Sequence, residues 1–461
     1  MHLISIVIFL LYTVRSRTQV PVEIYRNWSE LVSNATVNLT DLNRFLTDRT
    51  ALDYNVVVIE NARIPALPDD TFNGLEFDEF RLTNAGLAEF PAGLFRRSRV
   101  RRVFFAGNEL GRVAGGVFAG AAVEVAGLGA NRIADIEGGA FRGFAADWLV
   151  LSDNRLMAIR ADMFAGSTVR AMKLNGNRVM AIERAAFAGV AGLKSIDLSD
   201  NQLSSVDGAF DDLPDLGELN LSFNRIANVA TGAFSGSPIH SIYLTGNQLE
   251  AVRRGVFNDP KYTFISLDNN RITDIEEDSF ANTTRLQYLI LSENKLGVLN
   301  ATALGGVRRA ICLKLNGNDV TEVGAGAFAR VELAELDLSA NFLRSIERGD
   351  FAGARVKSLK LSGNEIEAIE AGALGEVRGL AYVDLDDNRL GEVKADAICL
   401  PLANVSMVNN RIRRIDKSLL VGNTGVYDYR LENNPIWYNG IDDDDEDDND
   451  DDSDDDDDDE D

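Results

Sequence analysis

The chain has 461 residues, 45% of them hydrophobic and 26% charged, which is enough apolar material for a folded body. Its formal net charge is −26, but residues 442–461 alone hold eighteen acidic residues. The rest of the chain contains 54 acidic residues and 46 Lys and Arg, which gives it a net charge of −8. This mildly anionic body disfavours a nucleic-acid partner, which binds through clustered positive charge.

The N-terminus is typical of a secretory signal. Residues 3–14 form a mostly apolar run that is too short to span a bilayer, and Val14 and Ser16 suit cleavage after Ser16. We therefore predict a signal peptide over residues 1–16 and a secreted protein with no membrane span. Seven Asn-x-Ser/Thr sequons support export and predict glycosylation at Asn27, Asn34, Asn38, Asn220, Asn282, Asn300 and Asn404.

Residues 17–50 contain no cysteine and predict an N-terminal cap segment. Beyond it, residues 51–440 repeat the frame LxxLxLxxNxL, as in Leu193, Ile196, Leu198, Asn201 and Leu203. Alternate leucines point to one side of a short strand, so stacked copies share one core. The frame Asn recurs at 108, 131, 154, 177, 201, 224, 247, 270, 294, 318, 341, 364, 388, 410 and 434, and two earlier copies hold Ala62 and Ala85 there.

A second column of apolar residues lies about ten positions after each frame Asn and is occupied mostly by Phe, from Phe72 to Ile398. We predict that this column packs in the core. The two columns together predict an α/β leucine-rich-repeat solenoid of about 17 repeats. This curved horseshoe would have a parallel β-sheet on its concave face, with loops and short helical turns on its convex side.

The frame resembles that of the secreted, typical-class leucine-rich-repeat proteins. The segment around Phe45, the stretch from Val56 to Ile64 and the stretch from Leu67 to Leu75 resemble an arthropod group most closely. That group is named after the Oplophorus-luciferin 2-monooxygenase non-catalytic subunit. The resemblance implies a binding role beside a separate secreted enzyme. Such proteins usually carry cysteine caps, which this chain lacks.

No residue pattern predicts catalysis or a cofactor. The chain has none of the standard metal, nucleophile or phosphate motifs, and His240 is the one histidine after the predicted signal. We therefore predict a protein that is not an enzyme. Cys312 lies on a concave strand and points outward, which predicts partial exposure, whereas Cys399 follows the core residue Ile398. Their separation excludes a mutual bridge, which leaves two unpaired thiols or an intermolecular bridge through Cys312.

Two groups on the predicted concave side are candidate binding sites. The first is an outward apolar patch on four consecutive strands, which fits partner binding or ordinary cross-strand packing. It consists of Tyr243, Phe264, Tyr288, Ile290 and Ile311. The second is a basic cluster that fits a sulfated glycan, the protein's own acidic tail or a solvated loop. It consists of Arg96, Arg97, Arg99, Arg101 and Arg102.

Two further segments are candidates for interaction. Arg348, Gly349 and Asp350 spell an integrin-binding tripeptide, which a rigid repeat would restrain. The tail over residues 441–461 has nothing to bury and predicts disorder. Its carboxylates, beginning with Asp442, Asp443, Asp444 and Asp445, could hold Ca²⁺ weakly or only solubilise the chain.

Three functions remain open from the sequence. One is protein binding or adhesion through the concave face, with an extracellular protein as the partner. The second is a matrix or mineral-associated role, in which the acidic tail supplies the chemistry. The third, implied by the resemblance, is a non-catalytic subunit of a secreted enzyme.

Overall fold

A computed structural model describes residues 56–67, 71–72, 76–91, 93–95, 98–304, 306–398, 404–416, 419 and 428–436. Several predictions lie outside these residues: the signal peptide, the cap segment, the acidic tail, Cys399, Arg96, Arg97 and the sequons at Asn27, Asn34 and Asn38. The described residues form a succession of similar coils that all contribute to the same parallel sheet.

The large sheet has eighteen strands among the described residues, and two of them belong to one coil, which gives seventeen coils. We number the coils in chain order by these strands. Coils 1 to 9 contain Val56–Glu60, Glu76–Thr83, Arg99–Phe104, Ala122–Gly127, Ala145–Val150, Ser167–Lys173, Val190–Ala191 with Ser195–Asp197, Glu218–Asn220 and Ser241–Tyr243. Coils 10 to 17 contain Phe264–Ser266, Tyr288–Ile290, Arg309–Lys314, Glu332–Asp337, Arg355–Lys360, Tyr382–Asp384, Asn404–Ser406 and Asp428–Arg430.

The opposite side of the solenoid carries strands of only two residues, which pair two by two. The pairs are Arg112–Val113 with Asp135–Ile136, Ala158–Ile159 with Ala181–Ile182, Ala251–Val252 with Asp274–Ile275, Val298–Leu299 with Glu322–Val323, Ser345–Ile346 with Ala368–Ile369, and Glu392–Val393 with Arg414–Ile415. Two 3₁₀ helices, Leu374–Glu376 and Ala395–Ile398, also lie on this side. The predicted parallel sheet and solenoid are confirmed, and the short convex strands add detail that the frame did not predict. No described helix is long and apolar enough to cross a membrane.

One continuous core runs through the described coils. The frame leucines fill its sheet side, and the predicted phenylalanine column fills its far side. Neighbouring rings of this column stack, for example Phe187 on Phe210 at 6.1 Å between centroids and Phe257 on Phe280 at 5.8 Å. The prediction that this column packs in the core is confirmed, since every member that the structure describes is buried.

The frame asparagines form a buried ladder of side-chain hydrogen bonds between coils. Asn270 is representative: its Nδ2 donates to the carbonyl oxygens of Leu244 and Leu267, each at 2.9 Å. Its Oδ1 accepts from the backbone N–H of Leu249 at 3.1 Å. The amide thus serves backbone groups that the turn leaves unpaired, which an apolar side chain could not do. Coils 1 and 2 lack this amide and hold buried Ala62 and Ala85 in its place.

Candidate partner-binding surface

The outward positions of the large sheet form columns that run across the coils. In each three-residue strand the central residue points into the core, and the residues on either side of it face outward. Glu218, Leu219 and Asn220 show this alternation, because only Leu219 is fully buried. The register pairs each outward residue with its equivalents in the two adjacent coils.

The predicted apolar patch is assembled on coils 9 to 12, as the frame indicated. The rings of Tyr243 and Phe264 lie 5.0 Å apart, and those of Phe264 and Tyr288 lie 5.9 Å apart, both in tilted contact. Ile290 is next to Tyr288 on the same strand and also faces outward. Ile311 directly precedes Cys312, the strand partner of Tyr288 in coil 12. The five side chains therefore form one outward surface.

Two members of the patch are well exposed. Tyr288 has 37% and Ile311 has 45% of its surface accessible, so a partner can reach both. Tyr243, Phe264 and Ile290 are half-buried between their neighbours. Partial burial, followed by the nearby Glu218 carboxylate, raises the pKa of the Tyr243 phenol.

Charged residues border this patch on the coil 12 side. Lys314 is the strand partner of Ile290, and Glu335 is the strand partner of Cys312. Glu335 also forms an ion pair of 3.0 Å with Lys360 of the next coil. The apolar surface therefore has a polar rim, which is the arrangement found at protein interfaces.

The predicted partial exposure of Cys312 is wrong. Its position faces outward, yet it is only 7% accessible. Its short side chain lies between the strand partners Tyr288 and Glu335, and its thiol lies 3.7 Å from the Glu335 carboxylate, to which it can donate. Burial raises the pKa of this thiol to about 11, and the Glu335 charge adds to the shift.

The basic cluster is largely matched by carboxylates where the structure describes it. Arg101 forms an ion pair of 2.7 Å with Glu124 and a longer contact with Asp78. Arg102 pairs with Glu79 at 3.1 Å. Arg99 is exposed at the start of the same strand. Arg101 and Arg102 are therefore already engaged by acidic neighbours, and glycan binding by this cluster stays a prediction.

The tripeptide at Arg348, Gly349 and Asp350 is held by neighbouring groups. The Arg348 Nε donates to the carbonyl oxygen of Ala371 at 2.6 Å, and the Gly349 N–H donates to Glu376 at 2.7 Å. Asp350 accepts the N–H of Glu347 at 2.8 Å. These contacts fix the tripeptide in the convex scaffold.

Four predicted glycosylation sites lie among the described residues. Asn282, Asn300 and Asn404 are exposed. Asn220 is half-buried on the concave sheet, its Oδ1 accepts the Ser222 N–H at 3.0 Å, and its strand partner is Tyr243. A glycan at Asn220 would therefore border the apolar patch directly.

The described residues contain no cluster of three or more His, Cys, Asp or Glu side chains that could hold a metal ion. His240 is exposed in coil 9, with its Nδ1 3.0 Å from the hydroxyl of Ser241. It lies three coils from Cys312, so these two residues do not meet.

Comparison with known proteins supports the fold. The leucine-rich-repeat family model matches residues 167–226, 237–296, 260–320 and 331–390. Lumican of Mus musculus and lumican of Rattus norvegicus are each 28% identical over 180 residues, which is 39% of this chain and 52% of theirs. The chain therefore spans about half the length of the curated relatives it matches.

Solved structures of similar shape are also repeat proteins. Toll of Drosophila, solved in glycosylated form in complex with Spatzle, aligns with a TM-score of 0.69 at 20% identity over 86% of this chain and 55% of that one. A leucine-rich-repeat protein of Leptospira interrogans aligns with a TM-score of 0.56 at 17% identity, over 78% and 91% of the two chains. At these identities the likeness establishes the solenoid architecture.

Proposed function

We propose that this chain, a leucine-rich-repeat protein, is a secreted binding protein that holds an extracellular protein partner on its concave face. The observation that carries the proposal is the contiguous patch of Tyr243, Phe264, Tyr288, Ile290 and Ile311 on one face of a rigid sheet. Exposed apolar patches mark interaction sites, and Tyr is among the residues that contribute most to the binding energy of protein interfaces.

Two further features support a protein ligand outside the cell. Toll, which shares this architecture, was solved with the protein Spatzle bound. The signal-like residues 1–16 and the seven sequons favour export of this chain. In this proposal the solenoid acts by binding and carries out no reaction of its own.

The test is capture of partners from the extracellular medium of the source cells by the exported full-length protein, whose first residue should be Arg17. Wild type should be compared with the double variant Tyr288→Ser, Ile311→Ser. Both side chains are exposed, so the fold should survive their loss. We expect a partner whose recovery falls more than tenfold with the variant, because two anchors are removed.

Phe342→Ser is the matched control. Phe342 is 49% accessible, a fraction similar to the 45% of Ile311. It lies outside the apolar patch, directly after the ladder residue Asn341. Recovery of every captured protein to the same extent by wild type and by both variants would refute the concave patch as the contact surface.

The other two functions rest on different features. A matrix or mineral-associated role depends on the acidic residues 442–461. A role as non-catalytic subunit depends on the resemblance to the arthropod group named after the luciferin monooxygenase subunit. Co-purification of the exported chain with an enzyme in fixed proportion would favour the role as a non-catalytic subunit. Loss of a partner when the tail is removed would favour the matrix or mineral-associated role.

A further inference from the structure

A column of cations lies on one flank of the solenoid, at the position directly after each ladder asparagine. Through the eight coils from 4 to 11 this position holds no acidic residue, and the two coils without a cation hold Gln202 and Gln248. The cations of this flank column are Arg132, Arg155, Arg178, Arg225, Arg271 and Lys295.

Most of these cations have no ion-pair partner among the described residues. Arg132 pairs with Glu109 of coil 3 at 3.1 Å. The other five are exposed, and no described carboxylate lies within 4.0 Å of them. Some exposed arginines elsewhere are paired with an acid of the next coil, as Arg253 is with Glu276 at 2.7 Å. The flank column is therefore a row of positive charge in which five of the six cations form no ion pair with a described carboxylate.

The geometry of the row fits an extended polyanion. Neighbouring coils are separated by about 4.8 Å, so the column runs for about 34 Å from coil 4 to coil 11. Like charges in a row repel one another, and a chain of anions laid along them would remove that repulsion. A compact or singly charged ligand would neutralise only one or two of the six.

This chain contains such a polyanion. Residues 442–461 hold eighteen Asp and Glu, and self-repulsion favours an extended conformation for such a segment. We propose that this acidic tail lies back along the flank column of its own solenoid, from Lys295 towards Arg132.

The length of the tail suits this path. Coil 11, with Lys295, is six coils or about 29 Å from coil 17, and coil 4, with Arg132, is about 62 Å away. The 25 residues after Ile436 can span about 80 Å when extended. Coils 12 to 14 carry Asp319, Phe342 and Glu365 at the flank position, and the uncharged residues 437–441 span part of this unfavourable stretch.

The cluster of Arg101 and Arg102 fits the tail less well. Their guanidinium groups are already paired with Glu124 and Glu79, so the tail would have to displace bound carboxylates. Binding on the flank column displaces none at five of its six cations. The concave face also stays open to a protein partner when the tail lies on the flank.

The test is zero-length cross-linking of the full-length protein with a water-soluble carbodiimide at low salt, read by peptide mass spectrometry. This reagent joins a carboxylate to a lysine amine in direct contact. Lys295 is the one lysine of the column, and Lys357 is an exposed lysine of coil 14 on the concave sheet. We expect residues 442–461 to couple to Lys295 at least fivefold more than to Lys357, although Lys357 is nearer the tail.

Three controls separate docking from mere proximity. The triple variant Arg155→Gln, Arg178→Gln, Arg225→Gln should lower coupling to Lys295, whereas Gln at the exposed Arg285, Arg308 and Arg330 should not. Raising the salt to 1 M shortens the screening length to about 3 Å and should abolish the preference for Lys295. A mixture of isotopically labelled and unlabelled protein distinguishes coupling within one chain from coupling between chains.

Equal coupling to the two lysines, an excess at Lys357, or coupling mainly between labelled and unlabelled chains would overturn the proposal. So would coupling to Lys295 that is unchanged in the column variant.

Discussion

Cys312 shows how an outward strand position can still be a buried one. Alternation along the strand places it on the concave face, beside exposed Ile311. The residues that cover it are its strand partners, Tyr288 and Glu335, whose longer side chains extend past a short thiol. Accessibility on a sheet therefore depends on the sizes of side chains in adjacent coils, which lie 23 or 24 residues away in the sequence.

This burial predicts an unreactive thiol. The pKa of Cys312 is raised to about 11 by burial first and by the Glu335 carboxylate second. Alkylation requires the thiolate, so at pH 8 the folded protein should react with iodoacetamide about a hundredfold more slowly than the urea-unfolded protein. The measurement is a rate in a Cys399→Ser background, and Glu335→Gln should increase it.

The same shift predicts the pH dependence of stability. The folded pKa lies above the ordinary value of 9.0, so the neutral thiol favours the folded state below pH 9. That contribution should be lost as the pH rises from about 9 to about 11.

In the alkylation experiment, equal rates for folded and unfolded protein at pH 8 would contradict the burial of the Cys312 thiol.

The asparagine ladder is the feature that connects one coil to the next. Asn270 serves three buried backbone groups, two carbonyl oxygens and one N–H. Replacing Asn270 by Leu leaves these groups without partners in a dry core. Each such loss costs about 1 kcal/mol or more, so we expect a decrease of about 2–4 kcal/mol in the free energy of unfolding measured with urea.

Asn228→Ala is the control for this substitution. Asn228 is exposed, and its loss should change the free energy of unfolding by less than about 0.5 kcal/mol. Because repeat arrays can unfold in segments, fluorescence and circular dichroism should be followed together. Equal stability of the Asn270 and Asn228 variants would show that the amide is not needed in the ladder.

The strands and their register follow from the repeated frame, because its leucines and asparagine have one structural solution that satisfies both burial and hydrogen bonding. The positions of Tyr243, Phe264 and Tyr288 on one surface could therefore be predicted by counting. The two-residue convex strands were not predicted, although the second residue of each is aliphatic and lies five positions after a ladder asparagine, as Ile275 does after Asn270. Val206 and Val229 hold the same position without forming a strand, so this pattern does not determine the convex pairing. Ion pairs such as Arg101 with Glu124 also depend on side-chain conformations that the frame leaves undetermined.

At the scale of the whole molecule, the two proposed binding surfaces lie on different sides of the solenoid. The aromatic patch is on the concave sheet, and the flank column is on the side of the coils. A protein partner and a polyanion could therefore bind together. The charge distribution is similarly divided, since a body of net charge −8 adjoins a segment with eighteen acidic residues.

This division predicts where calcium binds. Carboxylates are the ligands that Ca²⁺ prefers, but a flexible run of them gives weak, multi-site binding. We expect isothermal titration of the full-length protein to show several sites with dissociation constants of about 0.1–1 mM. A variant ending at Gly440 should lose this heat, because no described part of the solenoid contains a cluster of acidic ligands suited to a metal.

The calcium titration also tests whether the tail binds to the flank column, because calcium and the flank cations would compete for the same carboxylates. If the tail lies on Arg155, Arg178 and Arg225, calcium must displace those cations from its carboxylates. The triple Arg→Gln variant should then bind calcium more tightly than wild type, and the variants of Arg285, Arg308 and Arg330 should not. Equal heats from the full-length protein and the variant ending at Gly440 would contradict calcium binding by the tail and leave it a solubilising segment.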